Sequence, residues 1–242
     1  MIKNCFVSII IPAIIQNELL DRCLYSIFAC FKSFDYEILI IVPNVANFKY
    51  ESHHVRIIQE KEKSIYGAMN TGIIYAKGKY MFFIGQDDII LPEFENMLKY
   101  IKNKDPDLII SNVFWGRDKI YNNVKSRYFL IHKNWCHQGI VYKTNIVLDN
   151  NLFYDLKYSI QADHLFNIVF CSKHIKAIKY NHCISWYSAN GASTKITDKY
   201  FRIDFPQIIL THYGYFSFLV LLILRNTKYF LQNKTGIRHN HE

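Results

Sequence analysis

Along the first half of this chain the apolar positions switch repeatedly between two periods. Val7-Ser8-Ile9-Ile10-Ile11-Pro12 is a short β-branched run closed by proline, the pattern of a strand buried on both faces. From Asn17 to Phe31 the period lengthens. Leu20, Leu24, Ile27, Phe28 and Phe31 fall on one helical face, with Asn17 placed as N-cap. Tyr36–Val42 then reads as a strand stopped by Pro43, and Val55–Gln59 as another. Ser64 caps a helix through Lys77 that stops at Gly78, and Tyr80–Ile84 is a fourth strand. Pro92 opens a helix running to about Asn103, and Asp107–Val113 is again strand-like. This alternation predicts an α/β fold: a Rossmann-like, mostly parallel sheet with flanking helices, which binds ligands at the carboxyl ends of its strands.

The second half is less regular. Cys136–Lys143 reads as a strand, Ile160–Cys171 as a helix, and Ile175–Tyr180 and Ile184–Tyr187 as two further strands. No internal repeat or low-complexity linker interrupts the chain. Tyr215–Leu224 is apolar apart from Ser217, and Arg225, Lys228, Lys234 and Arg238 follow it. That stretch makes about 15 Å of helix, roughly half of a hydrocarbon core, so it is too short to span a bilayer by itself. It is either an interfacial helix on a membrane surface or a core helix with a solvated basic tail. The expected organisation is one α/β domain over residues 1–200 and a C-terminal helical, apolar and basic extension over 201–242.

Composition and charge narrow the partners. Half of the 242 residues are hydrophobic, enough for a full core. The net charge is +9, and the basic excess lies in the second half. An anionic membrane surface or a phosphorylated substrate fits that asymmetry. Nucleic acid fits worst, because the basic residues are scattered and no nucleic-acid motif is present. The six cysteines show neither Cys-x-x-Cys nor zinc spacing, and no leader pattern precedes Val7. This pattern predicts reduced, mostly buried thiols in a cytoplasmic chain.

The segment FFIGQDDIILP, residues 82–92, carries the chemistry. A buried strand ends on two adjacent carboxylates, Asp87 and Asp88. Either Asp88 favours the N-terminus of the helix opening at Pro92, or the pair holds a divalent cation with the diphosphate of a nucleotide. The chain has no GxGxxG and no GxxxxGK[ST], so bound phosphates would need a metal and side chains to neutralise them.

VSIIIP at 7–12, EILIIV at 37–42, SIYGAMNTGIIYAKGKYMFFIGQDD at 64–88, CHQGIVYK at 136–143 and QADHLFNIVF at 161–170 arrive in a familiar order. Together they resemble glycosyltransferase family 2, of the GT-A fold, and within it the bacterial transferases of colanic-acid and O-antigen synthesis. The resemblance covers roughly residues 5–195. It implies an inverting enzyme that moves a hexose or N-acetylhexosamine from a nucleotide-sugar, usually UDP-linked. The implied acceptor is a glycan or a lipid-pyrophosphate-linked chain, met in surface-polysaccharide synthesis. The apolar, basic C-terminus fits peripheral contact with the cytoplasmic face of the inner membrane.

Carried over by position, the resemblance makes Asp87 and then Asp88 ligands of Mn²⁺ or Mg²⁺, and Asp163 the base that takes the acceptor proton. Pro12 and Ala13 would line the nucleotide pocket. Asn44 stands in the turn where the family has an aspartate, and Glu62 lies where relatives place an acidic residue near base or ribose. Tyr66, Asn70 and Gln86 belong to the pattern of the 64–88 block. His137 and Gln138 would touch donor sugar or acceptor, although a histidine in an apolar strand also serves as a core side chain. Lys195 would meet the diphosphate, or else be a solvated loop lysine; Trp135 and Trp186 would stack on sugars or fill the core. Three positions depart from the pattern: Gly67 and Gly85, where carboxylates are frequent, and the Pro43-Asn44 turn. These departures admit a second reading, a catalytically degenerate scaffold or binding subunit. A nucleotidyltransferase on a similar sheet is a third, against which Ala13–Asn17 offers no basic residue.

Overall fold

The computed structural model describes residues 5–188 and 198–235, residues 227–235 as backbone alone. In chain order it contains β1 (Val7–Pro12), α1 (Glu18–Cys30), β2 (Tyr36–Val42), β3 (Val55–Gln59), α2 (Ile65–Tyr75), β4 (Tyr80–Phe83), β5 (Ile89–Ile90) and α3 (Glu93–Ile101). Then follow β6 (Leu108–Trp115), β7 (Lys119–Tyr121), β8 (Ile140–Lys143), α4 (Thr144–Asp149), α5 (Ala162–Ser172), β9 (Ala177–Tyr187) and α6 (Lys199–Thr235).

The strands form one sheet in the order β3-β2-β1-β4-β8-β6-β9-β5, with β7 pairing on β6. β1 pairs parallel with β2 and β4, β2 pairs parallel with β3, and β6 runs parallel with β9. β8 lies antiparallel between β4 and β6. The chain winds outward from β1 to β3 and then returns to place β4 on the other side of β1. A crevice therefore opens between the carboxyl ends of β1 and β4, the topological switch point where such sheets take ligands.

The strand alternation divides the core into two layers. Ile10, Leu39, Ile41, Met81 and Phe83 face the layer holding α2, α4 and α5. Ile9, Ile11, Ile38, Ile40 and Phe82 face α1 and α3 through Leu20, Leu24, Ile27, Phe94 and Leu98. Fully burying one such side chain contributes about 1.5–3 kcal/mol, so the period-2 pattern is what fixes the strand register. Asn17 caps α1 by accepting from the Leu20 amide at 3.1 Å, and Ser64 caps α2 by accepting from the Gly67 amide at 2.9 Å.

Besides β7 and α4, where no element was expected, the second half differs from the expectation in three places. Within 136–143 only Ile140–Lys143 is strand; His137–Gly139 is a 3₁₀ turn, because the Cys136 amide is drawn to Asn123 Oδ1 and the Gln138 side chain is drawn inward. The two strands expected over 175–187 are one, β9. Its register against β6 slips around Asn112, whose amide donates to the Asn181 carbonyl and fills the irregularity. The C-terminal apolar stretch belongs to a much longer helix, α6, which breaks at Gly214 (φ 81°, ψ 177°).

The amino ends of the strands are locked by a buried carboxylate, Glu37, inside an otherwise apolar strand. It accepts from Ser8 Oγ at 2.7 Å, the Lys77 amide at 2.6 Å and Arg56 Nη1 at 2.9 Å, joining β1, β2, β3 and the entry to β4. Glu37→Leu removes the acceptor from these donors while keeping the volume. It is expected to lower stability by about 1–3 kcal/mol, read as the midpoint of a urea melt.

Candidate active site

Asp88 lies at the carboxyl end of β4 and is fully buried. It does not cap α3, whose N-cap is Pro92 and makes no side-chain bond. Instead Asp88 Oδ2 accepts from the Gly85 amide at 3.1 Å and from Gln138 Nε2 at 2.9 Å, and Oδ1 accepts from the Ser188 amide at 3.0 Å. Burial, with the neighbouring Asp87 charge, pushes its carboxyl up to about 7, against the pull of these three donors.

Asp87 points outward from the same turn and is half-buried. Its Oδ2 accepts from Ser188 Oγ, and its carbonyl accepts from Arg22 Nη2 at 2.9 Å. The Arg22 guanidinium also sits 5.5 Å from the centre of the Trp186 ring. Gly85 makes the turn possible: a β-carbon there would come within 2.9 Å of Asp87 Oδ1 and of Asp88 Oδ2. Among the described residues no three His, Cys, Asp or Glu side chains converge as a metal cage. One outward carboxylate beside an inward one suits an oxygen-loving ion such as Mg²⁺ or Mn²⁺, whose remaining ligands come from phosphate and water.

Asp163 opens the first turn of α5 and is held by three donors. Oδ2 accepts from Asn134 Nδ2 at 2.8 Å; Oδ1 accepts from the His164 amide at 2.9 Å and lies 3.2 Å from the Tyr66 hydroxyl. That hydroxyl carries a single proton, shared between Asp163 and the Ile160 carbonyl. Burial pushes the Asp163 carboxyl up to about 6, against the pull of these donors. His137 Nδ1 is 3.8 Å from Oδ2. Burial depresses that imidazole to about 4, so at neutral pH it meets Asp163 as an uncharged ring. The adjacent residues His137 and Gln138 therefore reach the two carboxylate centres in opposite directions, one to Asp163 and the other to Asp88.

The remaining candidates divide by what their polar atoms already hold. Pro12 ends β1 at the crevice and Ala13 follows it; Gln86 bridges to the residues just beyond them, its Oε1 accepting from the Ile14 amide at 2.8 Å and its Nε2 reaching Asn17 Oδ1 at 3.4 Å. Asn44 is exposed at the end of β2, where its side chain caps a 3₁₀ turn through the Ala46 amide. Glu62 is exposed before α2. Asn70 spends its amide inside the fold, donating to the Tyr154 carbonyl at 2.9 Å and accepting from the Tyr154 amide at 2.7 Å. Gln138 is buried and acts on Asp88. Trp135 is a core side chain whose indole donates to the Val124 carbonyl at 2.8 Å. Lys195 lies outside the described residues. Asn134, Ser188 and Arg22 escaped sequence reasoning; each sits in a loop or helix with no local pattern and meets its partner only through the fold.

The model of the family described as glycosyl transferase family 2 matches residues 8–201. A PGL/p-HBAD biosynthesis glycosyltransferase of Mycobacterium bovis is 28% identical over 221 residues, covering 83% of this chain and 84% of the relative. The poly(ribitol-phosphate) beta-N-acetylglucosaminyltransferase TarP of Staphylococcus aureus is 32% identical over 162 residues, 62% of this chain and 46% of that protein. Among solved structures, S. aureus TarS 1-349 in complex with UDP-GlcNAc superposes with a TM-score of 0.67 at 13% identity, over 86% of this chain and 67% of that one. The mannosyltransferase PcManGT of Pyrobaculum calidifontis, in complex with GDP-Man and Mn²⁺, superposes at 0.57 and 12% identity, over 87% and 64%. At such identities the two superpositions speak for the fold.

Replacing Gln138 by leucine keeps the volume and takes one donor from the buried Asp88. The expected loss is about 1–3 kcal/mol of stability, measured by denaturant unfolding against the wild-type chain.

Proposed function

We propose, from the premise that this chain belongs to glycosyl transferase family 2, that it is an inverting, metal-assisted glycosyltransferase acting on a nucleotide-sugar. The donor is UDP-linked in this reading. The sugar is a hexose or N-acetylhexosamine, and the acceptor is a glycan or lipid-pyrophosphate-linked chain at the cytoplasmic face of the inner membrane. Surface-polysaccharide synthesis of the colanic-acid and O-antigen kind is the setting. The observation that carries the proposal is the His137-Gln138 turn, which sets a raised, donor-held carboxylate, Asp163, across from the acidic turn at the end of β4.

In this mechanism the donor diphosphate enters the crevice between β1 and β4, bordered by Pro12, Ala13 and the Gln86 bridge. Asp87 would hold Mn²⁺ or Mg²⁺, with Asp88 fixing the turn from within. Such an ion neutralises charge developing on the departing diphosphate. Asp163 takes the acceptor hydroxyl proton as that oxygen attacks the anomeric carbon from the face opposite the leaving group. Tyr66 and Asn134 keep one carboxylate orientation, and the uncharged His137 leaves the carboxylate free to accept the proton. A carboxyl raised to about 6 is a stronger base than a solvated aspartate and is still ionised at neutral pH.

Asp163→Asn should therefore retain nucleotide binding and lose about 10²–10⁴ in turnover. The wild-type kcat/KM should fall with unit slope as pH drops below about 6, because the raised carboxyl is then protonated and has no capacity to accept. Normal turnover by Asp163→Asn removes Asp163 from the chemistry.

Calorimetric titration of UDP with Mn²⁺ and with EDTA tests the donor side. Metal-dependent binding by the wild type, lost in Asp87→Ala, is the expected result. Failure of UDP together with success of GDP would revise the base, for which the Asn44 turn has no aspartate. Failure of every nucleoside diphosphate would leave the degenerate scaffold as the better reading.

A further inference from the structure

Helix α6 is the one described helix long and apolar enough, over Lys199–Asn226, to cross a membrane by length and composition. Its first half is committed to the protein. Phe201, Ile208 and Ile209 lie in the same core layer as Ala162 and Phe166 of α5. Asp198, just before the helix, accepts from the Phe201 amide at 3.1 Å and from the Ile160 amide at 3.3 Å. Asp204 accepts from the Tyr158 hydroxyl at 2.8 Å and pairs with Lys157 at 2.5 Å. These contacts bolt the helix to residues 157–162, the segment that delivers Asp163.

Beyond the break at Gly214 the helix is apolar on its outer face as well as on its inner one. Ser217 and Leu221 face the protein and are 2% and 3% exposed. On the opposite side Tyr215, Phe216, Leu219 and Ile223 make an outward stripe, with Phe216 79% and Ile223 62% exposed. Their spacing places them within about 100° of one helical face. Leaving so much aromatic and aliphatic surface in water is unfavourable unless something covers it.

The charge says what covers it. The sequence of α6 contains Lys199, Arg202, Arg225, Lys228 and Lys234 against the single acid Asp204, which Lys157 already neutralises. An anionic lipid surface would attract these positive charges, and an apolar stripe flanked by basic residues is the composition of a helix lying in a headgroup layer. The first half is built into the core, and the apolar run 215–224 that remains is about half the length a span requires.

We propose that residues 215–226 of α6 seat the protein on an anionic lipid surface. Through the 157–162 segment, the same helix holds Asp163 at a fixed distance from that surface, where a lipid-borne acceptor would present its hydroxyl. The proposal deepens the transferase reading and rests on it only for the acceptor. The docking itself is measured without donor or acceptor, so either can fail alone.

The test is flotation of the full chain with mixed phosphatidylglycerol–phosphatidylcholine vesicles and with phosphatidylcholine vesicles alone. Binding to the anionic vesicles should be tighter by at least about tenfold and should weaken in high salt. The double variant Phe216→Glu/Ile223→Glu should lose it, with an unchanged melting curve, because both side chains are exposed. Equal binding to the two vesicle types, no binding to either, or unchanged binding by the double variant overturns the proposal. A stable wild-type dimer that the double variant dissolves also overturns it, since the stripe would then cover a second copy.

Discussion

One buried carboxylate organises the site. Asp88 collects donors from its own turn, from Gln138, 50 residues later in the chain, and from Ser188, 100 residues later. Ionised in an apolar interior, it would carry a large desolvation cost, and these three hydrogen bonds offset part of it. The fold is thereby constrained where it matters. The end of β4, the 3₁₀ turn before β8 and the end of β9 are drawn to one point. Glu37 does similar work at the opposite edge of the sheet, so buried carboxylates fix both ends of the parallel half.

From that point the two chemical centres acquire different characters through environment alone. Asp87 and Asp88 are adjacent in sequence, yet one turns outward with a serine hydroxyl as its only described side-chain donor, and the other is sealed inside. Asp163 is partly buried, and its partners are neutral: a phenol, two amide groups and an uncharged imidazole. With no cation beside it, burial dominates and the carboxyl rises, the condition a proton acceptor near neutral pH needs. Had His137 been protonated, the attraction would have lowered Asp163 again and weakened it as a base.

The parallel half of the sheet was legible because β1 and β2 are β-branched runs buried on both faces and the crossover helices α1 and α2 each have a capping residue at their start. Val7–Pro12, Tyr36–Val42 and Val55–Gln59 match the structure at both ends. The antiparallel half was read less well, since its geometry depends on distant side chains. Nothing local in Cys136–Lys143 tells that Gln138 will bend toward Asp88, and nothing in 175–187 tells that Asn112 will bridge an irregular register and keep one strand continuous. The acidic pair stood out as two like charges at the end of a buried strand, whereas Asp163, an ordinary carboxylate in a helix's first turn, was singled out only through the family resemblance. Asn134, Ser188 and Arg22 could not, since an isolated polar residue acquires a role only when the fold supplies its partner. Asn70 is the converse case: its place in a recognisable block suggested a ligand contact, whereas both ends of its amide are taken by the Tyr154 backbone.

The departures at Gly85 and Gly67 bear on whether the site is worn down or differently built. At Gly85 any side chain would press on both carboxylates, so the observed turn and a third acidic group at that position exclude each other. At Gly67 a β-carbon would run into the Glu62 carbonyl, because residues 62–64 fold back onto the start of α2. In both places the glycine is matched by a close approach of neighbouring backbone or carboxylate that would otherwise be impossible. Tight packing around both glycines means that a carboxylate at either position would require its neighbours to move, so the two departures belong to the local fold of this chain.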